Sequence, residues 1–386
     1  MNEVVEKLGH RPVILIIDNS VAVTGALVAI RNATDQLLKQ YEFVYVLPSG
    51  SRGKQVLNEA GYRVFELPFV EISRRKTALL RYVPMLLLNG WRLRQLARRE
   101  RATIIHLNDF YNLTGYVARA LSLGRLRVIT HVRFLPQVLP QPLARLWRGM
   151  AETFAGRVLC VSAAVRTYFN PSAKVQVVFD PLPGGEKSLA APRSPARSDG
   201  TVQLLYLSNY IPGKGQNFAL AAFRKAYAHN SRLRLHFVGG DMGLEKNRAF
   251  RQQLEAEVRT HHLEEVVSFG GFVADVEQAI KAADILLNFS EAESFSLTCR
   301  DALYYGTPLI ATDCGGPAEL FENGQSGLLV PNRDVQAMAA AIIQLAADAA
   351  LRARFAAAGR EFIRHKLRPE VTYLQLDIIY KETLRS

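Results

Sequence analysis

Residues 285–319 read ILLNFSEAESFSLTCRDALYYGTPLIATDCGGPAE, and this stretch decides the fold class. Ile285–Phe289 is a short apolar run of the kind found in a strand buried on both faces. Small and hydroxyl-bearing residues follow, a helix begins near Leu297, and Pro308–Thr312 is a second strand-like run. A helix set between two such strands is the repeating unit of a parallel sheet covered on both sides.

The same alternation extends in both directions. Val202–Leu207, Leu233–Val238 and Val266–Phe269 are further strand candidates, and the Ala-rich segment 335–358 is a helix by composition and spacing. Upstream, PLPGGEKSLAAPRSPARSDG at 181–200 has linker composition. Before it the pattern runs through Val13–Ile17, Phe43–Leu47, Thr103–Leu107, Arg127–Thr130 and Val158–Val161. Thr24 is placed to cap the amphipathic stretch ALVAIRNATDQLL. The expected architecture is α/β: a Rossmann-like domain over 1–180, a linker over 181–200 and a second Rossmann-like domain over 201–360. A helical tail over 361–386 is expected to cross back to the first domain. Two such halves bind ligands in the cleft between them, near the strand C-termini.

Composition narrows the function classes. The 386 residues are 49% hydrophobic and 22% charged, which excludes wholesale disorder. The net charge of +13 lies entirely in residues 1–190, where 26 Lys+Arg face 13 Asp+Glu; residues 191–386 hold 22 of each. That asymmetry points to a polyanionic or membrane-surface partner for the first half. MNEVVEKLGH lacks the pattern of a secretory signal, no apolar run approaches a membrane span, and Cys160, Cys299 and Cys314 are too few and too scattered for a disulfide framework or a zinc site. The expectation is a cytoplasmic protein with no metal or other cofactor.

The densest chemistry lies in the opening segment. The backbone N–H groups of Phe295, Ser296 and Leu297, at the start of the expected helix, suit an anion. Glu293 precedes that helix and Asp301 lies within it, so the two acids can grip hydroxyl groups on either side of a bound phosphate. A capping carboxylate and a solvated helical Asp would give the same spacing, and spacing alone leaves both readings open.

Glu293-Ser294-Phe295-Ser296-Leu297-Thr-Cys-Arg-Asp301-Ala resembles the E-G-F-G-L-x-x-x-E-A string of retaining GT-B glycosyltransferases of family 4. Gly306-Thr307-Pro308, Asp313, Gly315-Gly316, Glu319, Asn323-Gly324, Gly327–Val330 and Asp334 continue the resemblance downstream. YLSNYIPGKGQNFALAAF with Lys214-Gly215, FVGG at 237–240 and SFGGFV at 268–273 extend it upstream. It is strong over 201–360 and weaker over 11–180. The resemblance implies a GT-B fold and a nucleotide-sugar donor, with Lys214 on the diphosphate and the amides near Phe295–Leu297 on the distal phosphate. Glu293 would then contact the sugar hydroxyls, Asp301 the ribose, and Gly271-Phe272 the base. Ser294 lies in the same donor loop. Two residues depart from the family pattern: Asp301 stands where a Glu is usual, and Asn209 where an Arg is common, which removes a positive charge from the phosphate site.

In the first half, Gly25 suits a loop that must let backbone approach a ligand. His106, Asn108, Asp109, His131 and Arg133 are placed after expected strands. Similar enzymes hold a His near the acceptor at the position of His131; Asp109 and Arg133 are further acceptor-side candidates, and His106 is read as structural. Residues 74–101 carry nine Arg/Lys against the single acid Glu100, interleaved with Leu, Tyr and Trp, with Pro84 starting or kinking a helix. That pattern suits an anionic membrane surface; a helix packed on the sheet with a solvated basic face is the alternative, and no nucleic-acid module is recognisable. The reading is a retaining, metal-independent hexosyltransferase at the inner face of the cytoplasmic membrane, acting on a lipid-linked or cell-envelope glycan. The rivals are a binding or scaffolding subunit with weak catalysis and a GT-B-type nucleotide-sugar epimerase; a phosphorylase is disfavoured because no cofactor-lysine motif is apparent.

Overall fold

The computed structural model describes residues 11–69, 76–183, 199–273 and 275–385, with the side chains of 76–79 excepted. Most of the expected linker therefore lies outside the described residues. The chain forms two compact units, Met1–Pro181 with Pro369–Ser386, and Leu182–Arg368.

The first unit runs β1 (Val13–Ile17), α1 (Gly25–Asp35), β2 (Glu42–Pro48), α2 (Gly53–Glu59), β3 (Arg63–Leu67), α3 (Lys76–Arg99), β4 (Ile104–Leu107), α4 (Thr114–Leu121), β5 (Arg127–Val132), α5 (Gln141–Phe154), β6 (Arg157–Cys160), α6 (Ala163–Arg166) and β7 (Val175–Val177). The strands form one parallel sheet in the order β3-β2-β1-β4-β5-β6-β7. β1 is buried along its whole length, as its unbroken apolar sequence requires. Thr24 caps α1 by accepting from the Leu27 amide at 3.3 Å. Gly25 is the first helical residue there, not a loop residue, because Thr24 is the N-cap and the helix starts at the residue after it. Pro84 lies inside α3 and does not start it.

The second unit runs β8 (Val202–Leu207), α7 (Gln216–Tyr227), β9 (Leu233–Val238), α8 (Glu245–Thr260), β10 (Val267–Phe269), α9 (Val276–Lys281), β11 (Ile285–Asn288), α10 (Leu297–Tyr305), β12 (Leu309–Thr312), β13 (Leu328–Val330), α11 (Val335–Ala347) and α12 (Ala349–Lys366). Its parallel sheet has the order β10-β9-β8-β11-β12-β13, with the order reversing between β8 and β11. The last helix, α13 (Pro369–Arg385), belongs to the first unit, where Leu376, Ile379 and Tyr380 are buried against Tyr41 and Phe43. The helical tail is thus two elements: residues 361–366 close α12, and Pro369, which lacks an N–H to continue that helix, opens α13.

Candidate functional site

In the second unit, the loops that follow β8, β9, β10, β11 and β12 all leave from the carboxyl edge of the sheet, where open α/β sheets hold ligands. Three of them, those after β8, β9 and β11, touch so closely that side chains are excluded. A Cβ on Gly215 would lie 1.9 Å from the Phe289 carbonyl oxygen, and one on Gly239 would lie 1.9 Å from that of Ser208. Tyr206 locks the first contact from below: its hydroxyl donates to Lys214 O at 2.5 Å and accepts from Phe289 N at 2.8 Å. The Lys214 ammonium consequently meets the Glu293 carboxylate at 2.8 Å, and Ser290 Oγ donates to the same Oε1 at 2.8 Å. Burial opposes the charge on Lys214, yet the adjoining carboxylate outweighs it and holds the ammonium above its ordinary pKa. The lysine is therefore charged at neutral pH, one-third exposed and held in place.

The Glu293 loop runs alongside residues 314–316, with Glu293 N donating to Cys314 O and Gly316 N to Glu293 O. It ends at Ser296, which adopts φ +80° and caps α10 by accepting from Cys299 N; Asn288 Nδ2 donates to the same hydroxyl at 3.1 Å. Phe295 and Ser296 are buried, and Ser294 and Leu297 are half-buried. Asp301 faces inward and accepts from Arg300 at 2.7 Å; burial pushes its carboxyl pKa up while the guanidinium pulls the other way. Asn209 does not stand in for an arginine. Its Oδ1 accepts from Gly240 N at 3.1 Å and so ties the β8 loop to the β9 loop. Gly271 O accepts from Gly239 N at 3.1 Å, and Phe272 beside it is 78% exposed, an unusual position for a large aromatic side chain.

In the first unit, the acceptor-side candidates form a buried polar chain. His106 and His131 lie within β4 and β5, not in the loops after them. Arg133 can only donate, so its 3.3 Å contact makes His131 Nδ1 an acceptor. His106 Nε2 must then donate to that atom, and Tyr380 must donate to His106 Nδ1 at 2.7 Å. Burial, with Arg133 adding to it, lowers the His106 pKa to about 3 and holds His131 well below its ordinary value, so both rings are neutral. Arg133 also binds Asp180 and Asn108, and Asn108 binds Asp18. Asp109 is buried beside this chain. Burial is the main cause that raises its carboxyl pKa to about 7, against hydrogen bonds from Phe110 N and Tyr111.

Comparison with known proteins gives these clusters a family. The model of the glycosyl transferases group 1 matches residues 190–362, and that of glycosyltransferase family 4 matches residues 23–178. The chain belongs to the group 1 glycosyltransferases. This glycosyltransferase is 25% identical over 333 residues to the N-acetyl-alpha-D-glucosaminyl L-malate synthase of Bacillus anthracis, covering 82% of this chain and 84% of that one. It is 27% identical over 185 residues to a lipopolysaccharide 1,6-galactosyltransferase of Salmonella typhimurium, covering 46% and 48%. Among solved structures, Anabaena HepE in complex with UDP superposes with a TM-score of 0.79 at 20% identity, covering 96% of this chain and 99% of that one. Sucrose-phosphate synthase of Thermosynechococcus elongatus gives 0.78 at 20%, covering 97% and 100%. These likenesses establish the GT-B fold of two Rossmann-like domains.

Several residues that shape the site of this glycosyltransferase escape sequence reading. Tyr206 and Asn288 occupy strand positions where they pass for core residues. Ser290, the second partner of Glu293, is one hydroxyl among several in its loop. Arg300, the partner of Asp301, looks like an ordinary helical cation in the sequence. Among the described residues, no three His, Cys, Asp or Glu side chains come together as a metal site, and no single helix is long and apolar enough to cross a membrane.

Proposed function

We propose that the chain transfers a hexose from a nucleotide-sugar donor to a lipid-linked or cell-envelope glycan, with retention of configuration and without a metal. The observation that carries this reading is the Lys214–Glu293–Ser290 cluster at the carboxyl edge of the second sheet, next to the start of α10. In the reaction the anomeric carbon–phosphate oxygen bond breaks, the acceptor hydroxyl oxygen bonds to that carbon on the same face, and its proton passes to the departing diphosphate. Lys214 meets the charge that grows on the leaving group, and the start of α10 meets the distal phosphate. Glu293 turns to the sugar hydroxyls once phosphate competes for the lysine, Asp301 serves the ribose, and exposed Phe272 with Gly271 borders the base. On the first unit, Arg133, with His131 bonded to it, and Asp109 serve the acceptor. HepE, solved with UDP and with UDP-glucose, supports a uridine donor as the first to try.

A thermal-shift screen over UDP, GDP, ADP and dTDP sugars tests the donor site, because a ligand that binds only the folded state raises its stability. Lys214→Ala and Glu293→Ala should each lower transfer at least about a hundredfold, the scale of losing one electrostatic stabiliser, while circular dichroism stays unchanged. Wild-type turnover in both variants would overturn the assignments. The engagement of Asp301 by Arg300 favours one rival, a binding subunit; nucleotide-sugar binding without hydrolysis or transfer would establish it.

A further inference from the structure

Tyr206 lies in β8 among Val202, Leu204, Leu205 and Leu207, where an apolar side chain would serve the core equally well. It is 1% exposed, and its ring packs against Phe237 and Phe289, with centroids 5.6 Å and 6.4 Å away. Phenylalanine would fill the same space, so packing accounts for the ring and not for the hydroxyl. A buried hydroxyl is costly unless it is bonded, and this one is bonded twice, as donor to Lys214 O and as acceptor from Phe289 N. It therefore joins the loop after β8 to the residue that follows β11. Lys214 N donates to Ile211 O at 3.0 Å, so the lysine main chain is fixed through both of its polar groups.

No neighbour replaces the phenol. Ser290 Oγ also reaches Lys214 O, at 3.4 Å, but it has one proton, and Glu293 Oε1 takes that proton at 2.8 Å. The Lys214 carbonyl therefore depends on Tyr206, whose bond to it is 2.5 Å long. The hydroxyl does not create the charge on Lys214, which the Glu293 carboxylate maintains. Its loss would leave a charged lysine without a fixed place. A diphosphate in the ground state is drawn to such a charge over a range of positions. The charge that develops on a leaving group is stabilised best by a cation that already stands where it is needed. The two effects of Lys214, attraction and stabilisation of the transition state, should thus respond differently to removal of one distant hydroxyl.

We propose that Tyr206 is a positioning residue for sugar transfer, its hydroxyl fixing the Lys214 main chain and through it the place of the ammonium. The proposal rests on the transferase reading. The test is steady-state turnover of UDP-glucose, UDP-galactose, UDP-N-acetylglucosamine and GDP-mannose by the full chain, read as nucleoside diphosphate released. Wild type, Tyr206→Phe, Lys214→Ala and the double variant are compared with the donor that wild type turns over fastest. Tyr206→Phe should lower kcat at least about tenfold and change the donor KM by less than about threefold. In the Lys214→Ala background the same substitution should change kcat by less than about twofold, because the residue it acts through is gone. Tyr206→4-aminophenylalanine, which again offers a donor to Lys214 O, should bring kcat to within about threefold of wild type. An equal loss in both backgrounds, a change in KM alone, an unchanged kcat, or a Tyr206→Phe chain that does not fold would assign the hydroxyl to the fold and overturn the proposal. A kcat that 4-aminophenylalanine leaves at the phenylalanine level would overturn it as well. A wild-type chain that no nucleotide-sugar stabilises and that turns over none would remove the transferase reading and this proposal together; wild-type turnover with Tyr206→Phe equally active would remove this proposal alone.

Discussion

At the residue scale, Ser296 shows what a motif glycine is for. The family string E-G-F-G-L has glycine where this chain has Ser296, and the backbone there adopts φ +80°, a region that side chains of L residues avoid. Serine is tolerated because its hydroxyl caps α10 and takes a hydrogen bond from Asn288. Ser296→Ala keeps the strain and loses both bonds, so it should lower unfolding stability by about 1–2 kcal/mol. Ser296→Gly loses the cap but relieves the strain and should fall between the alanine variant and wild type; urea melts check the order, and an alanine variant as stable as wild type would contradict it. The motif was legible in sequence, whereas the compensating hydroxyl bonds depend on Asn288, eight residues away in a strand. Asp109 and His106 give a pH prediction of the same kind. The stability tied to neutral His106 is present above the unfolded pKa of 6.5 and is lost as pH falls toward 3. The stability tied to protonated Asp109 is present below 3.8 and is lost as pH rises through about 7. The two slopes oppose each other between roughly pH 4 and 6.5. Asp109→Asn should leave the histidine slope uncompensated, so that stability rises with pH more steeply there, by up to about 1.4 kcal/mol per pH unit. Equal slopes in urea melts of the two proteins would refute the Asp109 contribution.

At the element scale, sequence patterning found the strands inside each sheet and, among the four edge strands, only β10. β1 is an unbroken apolar run, β8 a nearly unbroken one, and β9 alternates Leu233, Leu235 and Phe237 with Arg234 and His236; all three fall where they were expected. β3, an edge strand reading RVFEL, carries charges that pair sideways: Arg63 with Glu42 and Glu100, and Glu66 with Lys54 at 2.5 Å. Such a strand has no unbroken apolar signal, because only one of its edges and part of its surface are covered. β7 and β13, reading VQV and LLV, are three residues each and too short to carry a periodic signal. α3 has one face packed against α4 and one exposed. Gly90 faces α4 so tightly that a Cβ would sit 2.3 Å from a Val117 methyl. Alanine would gain about 1 kcal/mol in helix propensity, but overpacking costs typically 1–3 kcal/mol. The clash should win, and Gly90→Ala should lower the melting temperature. On its exposed face, Leu80, Val83, Leu87 and Trp91 follow helical spacing and are all at least half exposed, beside exposed Arg81, Arg92 and Arg98. Leu87→Ser with Trp91→Ser should weaken co-sedimentation with anionic vesicles about tenfold or more, since two apolar side chains no longer enter the interface. Added salt should weaken the wild-type binding as well. Indifference to both changes would assign the basic face to solvent alone.

At the scale of the whole molecule, two α/β units were legible from the restart of the strand–helix pattern after residue 200, and the tail was expected to return to the first domain; its start at Pro369 and its seat there are set by contacts. α13 has ordinary helical composition; what fixes it is the surface it meets. Tyr380 donates to His106 Nδ1, Tyr41 donates to Asp377 at 2.7 Å, Thr372 donates to Phe179 O at 3.2 Å, and Arg157 pairs with Glu382 at 2.9 Å. Leu376, Ile379 and Tyr380 are buried in the core of the first unit, at about 1.5–3 kcal/mol for each large side chain removed from water. Ending the chain at Arg368 would therefore remove several kcal/mol from the first unit and expose His106, while the core of the second unit, built from β8–β12 with α7 and α11, contains no residue of α13. Hydrogen exchange on the truncated chain should show amides of β1, β2 and β4 losing protection and those of β8, β9 and β11 keeping it. Tyr380→Phe isolates the polar part of the effect: it keeps the ring packing, leaves His106 Nδ1 without its donor, and should cost about 1–3 kcal/mol in the first unit alone. Protection lost evenly across both units, or lost in the second unit only, would mean that α13 does not complete the core of the first.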